Sequence, residues 1–234
     1  MDNKLFWENY FRTYDVLNEA IPYQKLMEDI IRACEVKRED LIFDAGSGTG
    51  NLCIRLKEYG STPVGLDFSE KAIEIHLAKD HDAEVYFGDL TDTLSFPDNY
   101  FNKIVSNNVL YTINKNLRLD VIKELYRILR PHGKLVIANV HTGFNPILIF
   151  WDHLKQSLQV KGILRTASDL PGKVCAIGKM FYYSYCLIRK DRNGKYAFMQ
   201  EGEQRNLLLT AGFRNVPDTI KTYSNQSYLD MGTK

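Results

Sequence analysis

The chain has 234 residues, a length suited to one large α/β domain or a domain carrying a cap. Hydrophobic residues make up 44%, enough for a sizeable core and too many for a disordered chain. With a formal net charge of +1, and with bases such as Lys71, Lys79, Lys123, Arg127 and Lys134 interleaved with acids, no global field recruits DNA, RNA or an anionic membrane.

Residues 1–40 read as helical. Leu26, Met27, Ile30, Ile31 and Cys34 form an apolar stripe at helical spacing, and the stretch before them is rich in aromatics from Phe6 to Tyr23. From residue 41 strands and helices alternate, the pattern of a parallel sheet with crossover helices. Strands are expected at Leu41–Asp44, Thr62–Asp67, Glu84–Gly88, Lys103–Ser106 and Lys134–Val140. Helices are expected at Asn51–Tyr59 and from Ser69, as N-cap, to Lys79. Leu119, Ile122, Leu125, Tyr126 and Leu129 share one helical face, which Pro131-His132-Gly133 should end before the fifth strand.

The longest insertion between strands runs from Phe144 to Lys190, with aromatic and aliphatic runs at Pro146–Trp151 and Met180–Tyr185. The flanks of Ile147–Trp151 are not strongly basic, which weighs against a peripheral membrane role. After a turn at Asp191-Arg192-Asn193-Gly194, a helix near Glu201–Thr210 should end at Gly212. Phe213–Tyr223 and Ser227–Gly232 then suit an antiparallel hairpin at the sheet edge. Cys34, Cys53, Cys175 and Cys186 are isolated from one another and from His clusters, so reduced and mostly buried thiols are expected rather than zinc or disulfides. The first residues lack the apolar core of a signal peptide, and no uninterrupted apolar run approaches the ~18 residues of a membrane span. A cytoplasmic location is the expectation.

Leu41-Ile42-Phe43-Asp44-Ala45-Gly46-Ser47-Gly48-Thr49-Gly50 is the most informative stretch: a buried strand, a tight glycine loop, then a helix start. Alternating glycines let a ligand approach the backbone closely. A nicotinamide fingerprint needs its third glycine one position later, where Asn51 stands, and its pyrophosphate would be repelled by Asp44. A carboxylate beside the loop suits a cationic ligand, and S-adenosylmethionine, with its ammonium and sulfonium, is such a ligand. Asp67 ends the second strand about 20 residues beyond the first glycine, the spacing at which doubly wound folds present a carboxylate to a ribose. Asp89 ends the third strand, placed to accept from an adenine amino group while Leu90 packs on the ring.

These motifs resemble those of class I S-adenosylmethionine-dependent methyltransferases. Asp44–Gly50 looks like their first motif, Leu94–Phe101 is similar to the loop before the fourth strand of the type 11 group, and Tyr126–Leu135 matches its helix-to-strand junction. That group contains the ubiquinone-biosynthesis C-methyltransferases. The resemblance covers residues 38–140 and 200–232, where Ala211-Gly212-Phe213 looks like the turn into the terminal hairpin. It implies an α/β, Rossmann-like, doubly wound and mostly parallel seven-stranded sheet, five strands parallel plus the C-terminal hairpin, in one domain. Within that domain, 1–40 would be a helical cap, 41–143 the cofactor-binding core, 144–200 a helical insertion or lid, and 201–234 a helix and hairpin. The residues expected at the cofactor are Asp44, Gly46, Ser47, Gly48, Asp67, Phe68, Asp89, Leu90 and Asn107.

The family often carries His-His after its fourth strand, where this chain has Val109-Leu110-Tyr111-Thr112, so that base does not carry over. No Asn/Asp-Pro-Pro-aromatic run occurs near Asn107, which weighs against a nucleic-acid base as acceptor. The expected reaction is methyl transfer to an O, N or C atom of a small organic molecule. The rivals are a nucleic-acid or protein methyltransferase, a non-catalytic cofactor-binding assembly factor, and the carboxy-S-adenosylmethionine synthases, which resemble this group too. His141, just past the fifth strand, is the first candidate base, with Tyr14, Tyr111 and His153 behind it. His76, His81 and His132 are expected to be solvated. The aromatic N-terminal helices and the Phe144–Lys190 insertion are expected to roof the acceptor.

Overall fold

The computed structural model describes residues 3–162 and 174–234; the part of the expected insertion at 163–173 lies outside them. Five strands are mutually parallel: β1 (Leu41–Ala45), β2 (Thr62–Asp67), β3 (Glu84–Phe87), β4 (Phe101–Asn107) and β5 (Leu129–Val140). β7 (Ser227–Thr233) runs antiparallel to β5 and to β6 (Ile220–Thr222). The order across the sheet is β3-β2-β1-β4-β5-β7-β6. It reverses between β1 and β4, which opens a crevice at their carboxyl ends.

Side chains alternate across the strands with period two. Ile42, Val105, Val136 and Ala138 join one apolar cluster, and Phe43, Ile104, Leu135 and Ile137 the other. α2 (Ile21–Cys34) covers the first face through the expected stripe of Leu26, Met27, Ile30, Ile31 and Cys34, beside Leu52 and Leu56 of α3 (Asn51–Glu58). The second face is covered by Val121, Ile122 and Leu125 of α5 (Lys115–Ile128), by Leu208 of α8 (Glu203–Ala211) and by Ala72 of α4 (Glu70–Lys79). α1 (Asn3–Tyr14), α6 (Pro146–Lys161) and α7 (Val174–Arg192) complete the helices used below.

The connection from β3 to β4 at 88–100 is a loop, as expected for Leu94–Phe101, held by Arg127, which donates to Leu94 O at 3.0 Å and Phe96 O at 2.9 Å. Three details differ from the sequence expectation. Pro131-His132-Gly133 does not separate α5 from β5, because the helix already ends at Ile128 and the strand accommodates the tripeptide. The ladder there slips between Phe101 and Lys103, and His132 takes φ +64°, so the proline sits in a bulge rather than in a regular rung. The first arm of the hairpin is short, with only Ile220–Thr222 in β6 and an isolated bridge from Arg214 to Thr233. Finally, Cys34 and Cys53 are buried, but Cys175 is exposed and Cys186 half-buried.

Candidate active site

The chain leaves β1 at Ala45 and turns into α3 through Gly46, Gly48 and Gly50, all at positive φ. Gly46 N and Ser47 N donate to Leu66 O at 2.9 and 3.0 Å, and Gly48 N donates to Asp67 Oδ2 at 2.9 Å. Asp67 Oδ1 accepts from Ser69 N at 2.9 Å, while Ser69 Oγ caps α4 by accepting from Ala72 N at 3.3 Å. Helix capping therefore falls to Ser69, and Asp67 ties the glycine loop to the end of β2.

Two of the glycines are required by close packing. A Cβ on Gly46 would stand 2.3 Å from Val109 Cγ2, and one on Gly50 only 2.0 Å from His76 Cδ2. His76 corrects the expectation of a solvated histidine: it is fully buried, and neither ring nitrogen has a partner. Burial lowers its pKa to about 4, so the ring is neutral. It shares the inner face of α4 with Ala72, four residues earlier.

A cavity of about 280 Å³ lies over the loop. Asp44, Gly46, Ser47, Gly48, Asp67, Phe68, Asp89, Leu90 and Asn107 all line it, and so do Tyr14 and Tyr111. Asp44 is buried, and desolvation pushes its pKa up to about 7, opposed by Cys53 Sγ donating to Oδ2 at 3.3 Å. Burial likewise raises Asp67 to about 6, against the hydrogen bonds from Ser69, Gly48 and Phe68. Asp89 Oδ1 accepts from Thr91 N and Thr91 Oγ1, each at 2.8 Å, in an Asx turn. Asn107 Oδ1 is buried without a partner, an orphaned acceptor that a donor-bearing ligand would satisfy. Two carboxylates that burial alone disfavours, with an unmet acceptor on the adjoining strand, fit a ligand bringing positive charge and hydroxyl donors.

α1 closes one side of this cavity through Trp7, Tyr10, Phe11 and Tyr14. Trp7 Nε1 donates to Tyr196 OH at 3.0 Å. A polar tie, not foreseen from sequence, joins the turn after α1 to the glycine loop: Thr49 Oγ1 donates to Asp15 Oδ1 at 2.6 Å, and Asn18 Nδ2 to Asn51 Oδ1 at 2.8 Å. Lys79 Nζ reaches both Asp15, at 3.0 Å, and Asn51 Oδ1, at 2.7 Å.

A second cavity of about 140 Å³ lies between α6 and α7, with Ile149, Phe150, Ile177, Phe181 and Leu187 among its lining. Tyr10, Tyr14, Asn108 and Tyr111 line both cavities. Tyr14 OH and Tyr23 OH are 3.0 Å apart, and burial pushes the phenols of Tyr10, Tyr14, Tyr23 and Tyr111 upward, so all stay neutral. His153 also lines the second cavity; its Nδ1 accepts from Ile21 N at 3.2 Å, which places the proton of the neutral ring on Nε2.

His141 is not brought to either cavity. Its Nδ1 lies 2.7 Å from Thr142 O, its Nε2 2.6 Å from Asn225 O, and its ring stacks on Tyr228 at 4.7 Å. Among the described residues, no group of three or more His, Cys, Asp or Glu could hold a metal ion, and no helix is long and apolar enough to cross a membrane.

A family model described as a methyltransferase domain matches residues 43–137, from β1 into β5. The chain is 28% identical over 153 residues to the demethylmenaquinone methyltransferase of Renibacterium salmoninarum, covering 62% of each. It is 30% identical over 200 residues to the demethylmenaquinone methyltransferase of Oceanobacillus iheyensis, covering 71% of this chain and 79% of that one. The chain thus spans about three fifths of the first relative's length. The structure is also similar to a TehB-like S-adenosylmethionine-dependent methyltransferase from Corynebacterium glutamicum, with a TM-score of 0.66, 18% identity, and coverage of 99% of this chain and 100% of that one. That last likeness is one of fold.

Proposed function

The chain belongs to the class I S-adenosylmethionine-dependent methyltransferases, and we propose that it methylates a small apolar aromatic molecule held in the second cavity. The observation that carries this reading is the wall of Tyr10, Tyr14, Asn108 and Tyr111 common to both cavities. A donor in one cavity and an acceptor in the other would meet across that wall.

Asp44 and Asn107 would hold the cationic methionyl end, Asp67 the ribose hydroxyls, and Asp89 with Leu90 the adenine. When bound, S-adenosylmethionine supplies a methyl group on a positively charged sulfur, a good leaving group for in-line displacement. The chain's own work is then alignment and exclusion of water. Trp7, Tyr10, Phe11 and Tyr14 roof the donor, and α6 and α7 enclose the acceptor. Neutral tyrosine hydroxyls at the shared wall would orient an acceptor oxygen by donating to it. The names of the two relatives favour a quinol-like acceptor, a hydroxylated ring with an apolar substituent, and the aliphatic and aromatic lining suits one.

The test is a labelled-methyl assay with a demethylated naphthoquinol bearing a short apolar tail, run beside a metabolite extract, tRNA and protein substrates. The reading expects label on the naphthoquinol or on another small apolar molecule. Label on nucleic acid or protein alone overturns it.

A further inference from the structure

We propose that α6 and α7 form a docking surface for an anionic lipid bilayer. On α6 the exposed Ile147, Leu148, Trp151 and Leu158 share one helical stripe with exposed Lys155, and Val160 is exposed as well. Trp151 is 59% exposed, as no packed core residue would be. On α7, Tyr182 and Tyr185 are exposed at the spacing that continues to exposed Arg189 and Arg192, with Lys179 beside them. Phe150 and Phe181 meet at 5.8 Å between the two helices, so the outward stripes flank one cavity.

Charge selects the occupant. In a chain of net charge +1, these two helices carry Lys155, Lys161, Lys179, Arg189, Lys190 and Arg192 against only Asp152 and Asp191. Both acids are used within the protein: Asp152 Oδ2 accepts from Ser224 Oγ at 2.6 Å, and Asp191 Oδ1 from Phe198 N at 2.7 Å. Lys190 turns inward, its Nζ 3.5 Å from the centroid of Phe6. What faces out is therefore apolar and aromatic surface interspersed with Lys155, Lys179, Arg189 and Arg192, the combination that binds anionic headgroups while burying apolar side chains at the acyl boundary. The flanks of Ile147–Trp151 are indeed not strongly basic; the bases come from further along α6 and from α7. A second copy of this chain would set like charges against each other across the same surface.

The surface is independent of the acceptor reading, although it would place the second cavity next to a lipid phase. The chain has two tryptophans, Trp7 at 5% exposure and Trp151 at 59%, which makes Trp151 a native reporter. The experiment is sedimentation with phosphatidylglycerol or phosphatidylcholine vesicles, paired with fluorescence quenching by brominated phospholipid. We expect at least fivefold more protein bound to phosphatidylglycerol vesicles, with quenching that disappears in Trp151→Phe. Leu148→Glu and Lys179→Glu, both at exposed positions, should reduce vesicle binding by fivefold or more while S-adenosylmethionine affinity by calorimetry stays unchanged. Equal binding to the two vesicle types, absence of quenching, or a dimer that shields Trp151 without vesicles would overturn the proposal. Loss of cofactor binding in the unaltered protein would instead count against the methyltransferase reading, so the two failures are distinguishable.

Discussion

Gly48 N–H donates to Asp67 Oδ2 at 2.9 Å, so the glycine loop and the end of β2 form one unit. The same carboxylate accepts from Ser69 N through its other oxygen. Asp67→Ala should therefore act twice. Two buried N–H groups lose their acceptor, which lowers stability by about 1–3 kcal/mol, and cofactor affinity falls by about 1.5–3 kcal/mol. Urea unfolding and calorimetry measure the two separately. Unchanged affinity in a folded variant would confine Asp67 to its loop-tying role.

Asp44 should make cofactor binding pH-dependent. Its carboxyl is held up at about 7 by burial, and a cationic ligand needs it ionised. Affinity should fall as pH drops through about 7, by up to ~tenfold per pH unit, because binding then releases one proton from the carboxyl. The free protein should respond in the opposite sense. A folded pKa raised above the ordinary 3.8 gives a stability contribution that is complete below that value and is lost as pH rises through about 7. Asp44→Asn should remove the part of both profiles between about pH 6 and 7 in calorimetry and thermal melts, leaving below it the slope from Asp67, whose carboxyl burial raises to about 6; a slope between pH 6 and 7 that survives in the variant assigns the effect elsewhere.

Gly50 and His76 should be energetically coupled. Gly50→Ala puts a Cβ against the imidazole at a backbone of φ +78°, costing about 2–4 kcal/mol from overpacking and left-handed strain. The double variant with His76→Ala should be less destabilised than the sum of the single changes by about 1 kcal/mol or more. Strict additivity in denaturant unfolding would show that the close approach is not what fixes this glycine.

The parts of the site legible in the sequence are those set by local rules. Asp44 near the end of β1, Asp67 at the end of β2 and Asp89 just past β3 sit at the carboxyl ends of three parallel strands, so their arrival at one end of the sheet follows from parallel pairing alone. The misreadings come from context. His76 resembles any polar residue on a helix until Gly50, distant in sequence, makes room for its ring. Pro131 reads as a breaker because the pattern gives no sign that β5 bulges around it. The second cavity was not legible in detail: its wall draws on residues from Tyr10 to Tyr223, and only the fold brings them together. His141 sits at the right end of the right strand, yet Tyr228 and two carbonyl oxygens occupy its ring.

His141→Gln should accordingly leave kcat/KM within about threefold, since the ring lines neither cavity. General-base removal would typically cost about 10²–10⁴-fold in kcat. A loss of that size, with unchanged cofactor affinity, would return His141 to the mechanism.

The most direct measurement is a calorimetric titration of the purified protein with S-adenosylmethionine and, in parallel, with NAD. Asp44, Asp67, Asp89 and the unmet Asn107 acceptor predict one S-adenosylmethionine per chain at micromolar affinity, about −8 kcal/mol, and no binding of NAD. Binding of NAD without S-adenosylmethionine would contradict the account at its centre.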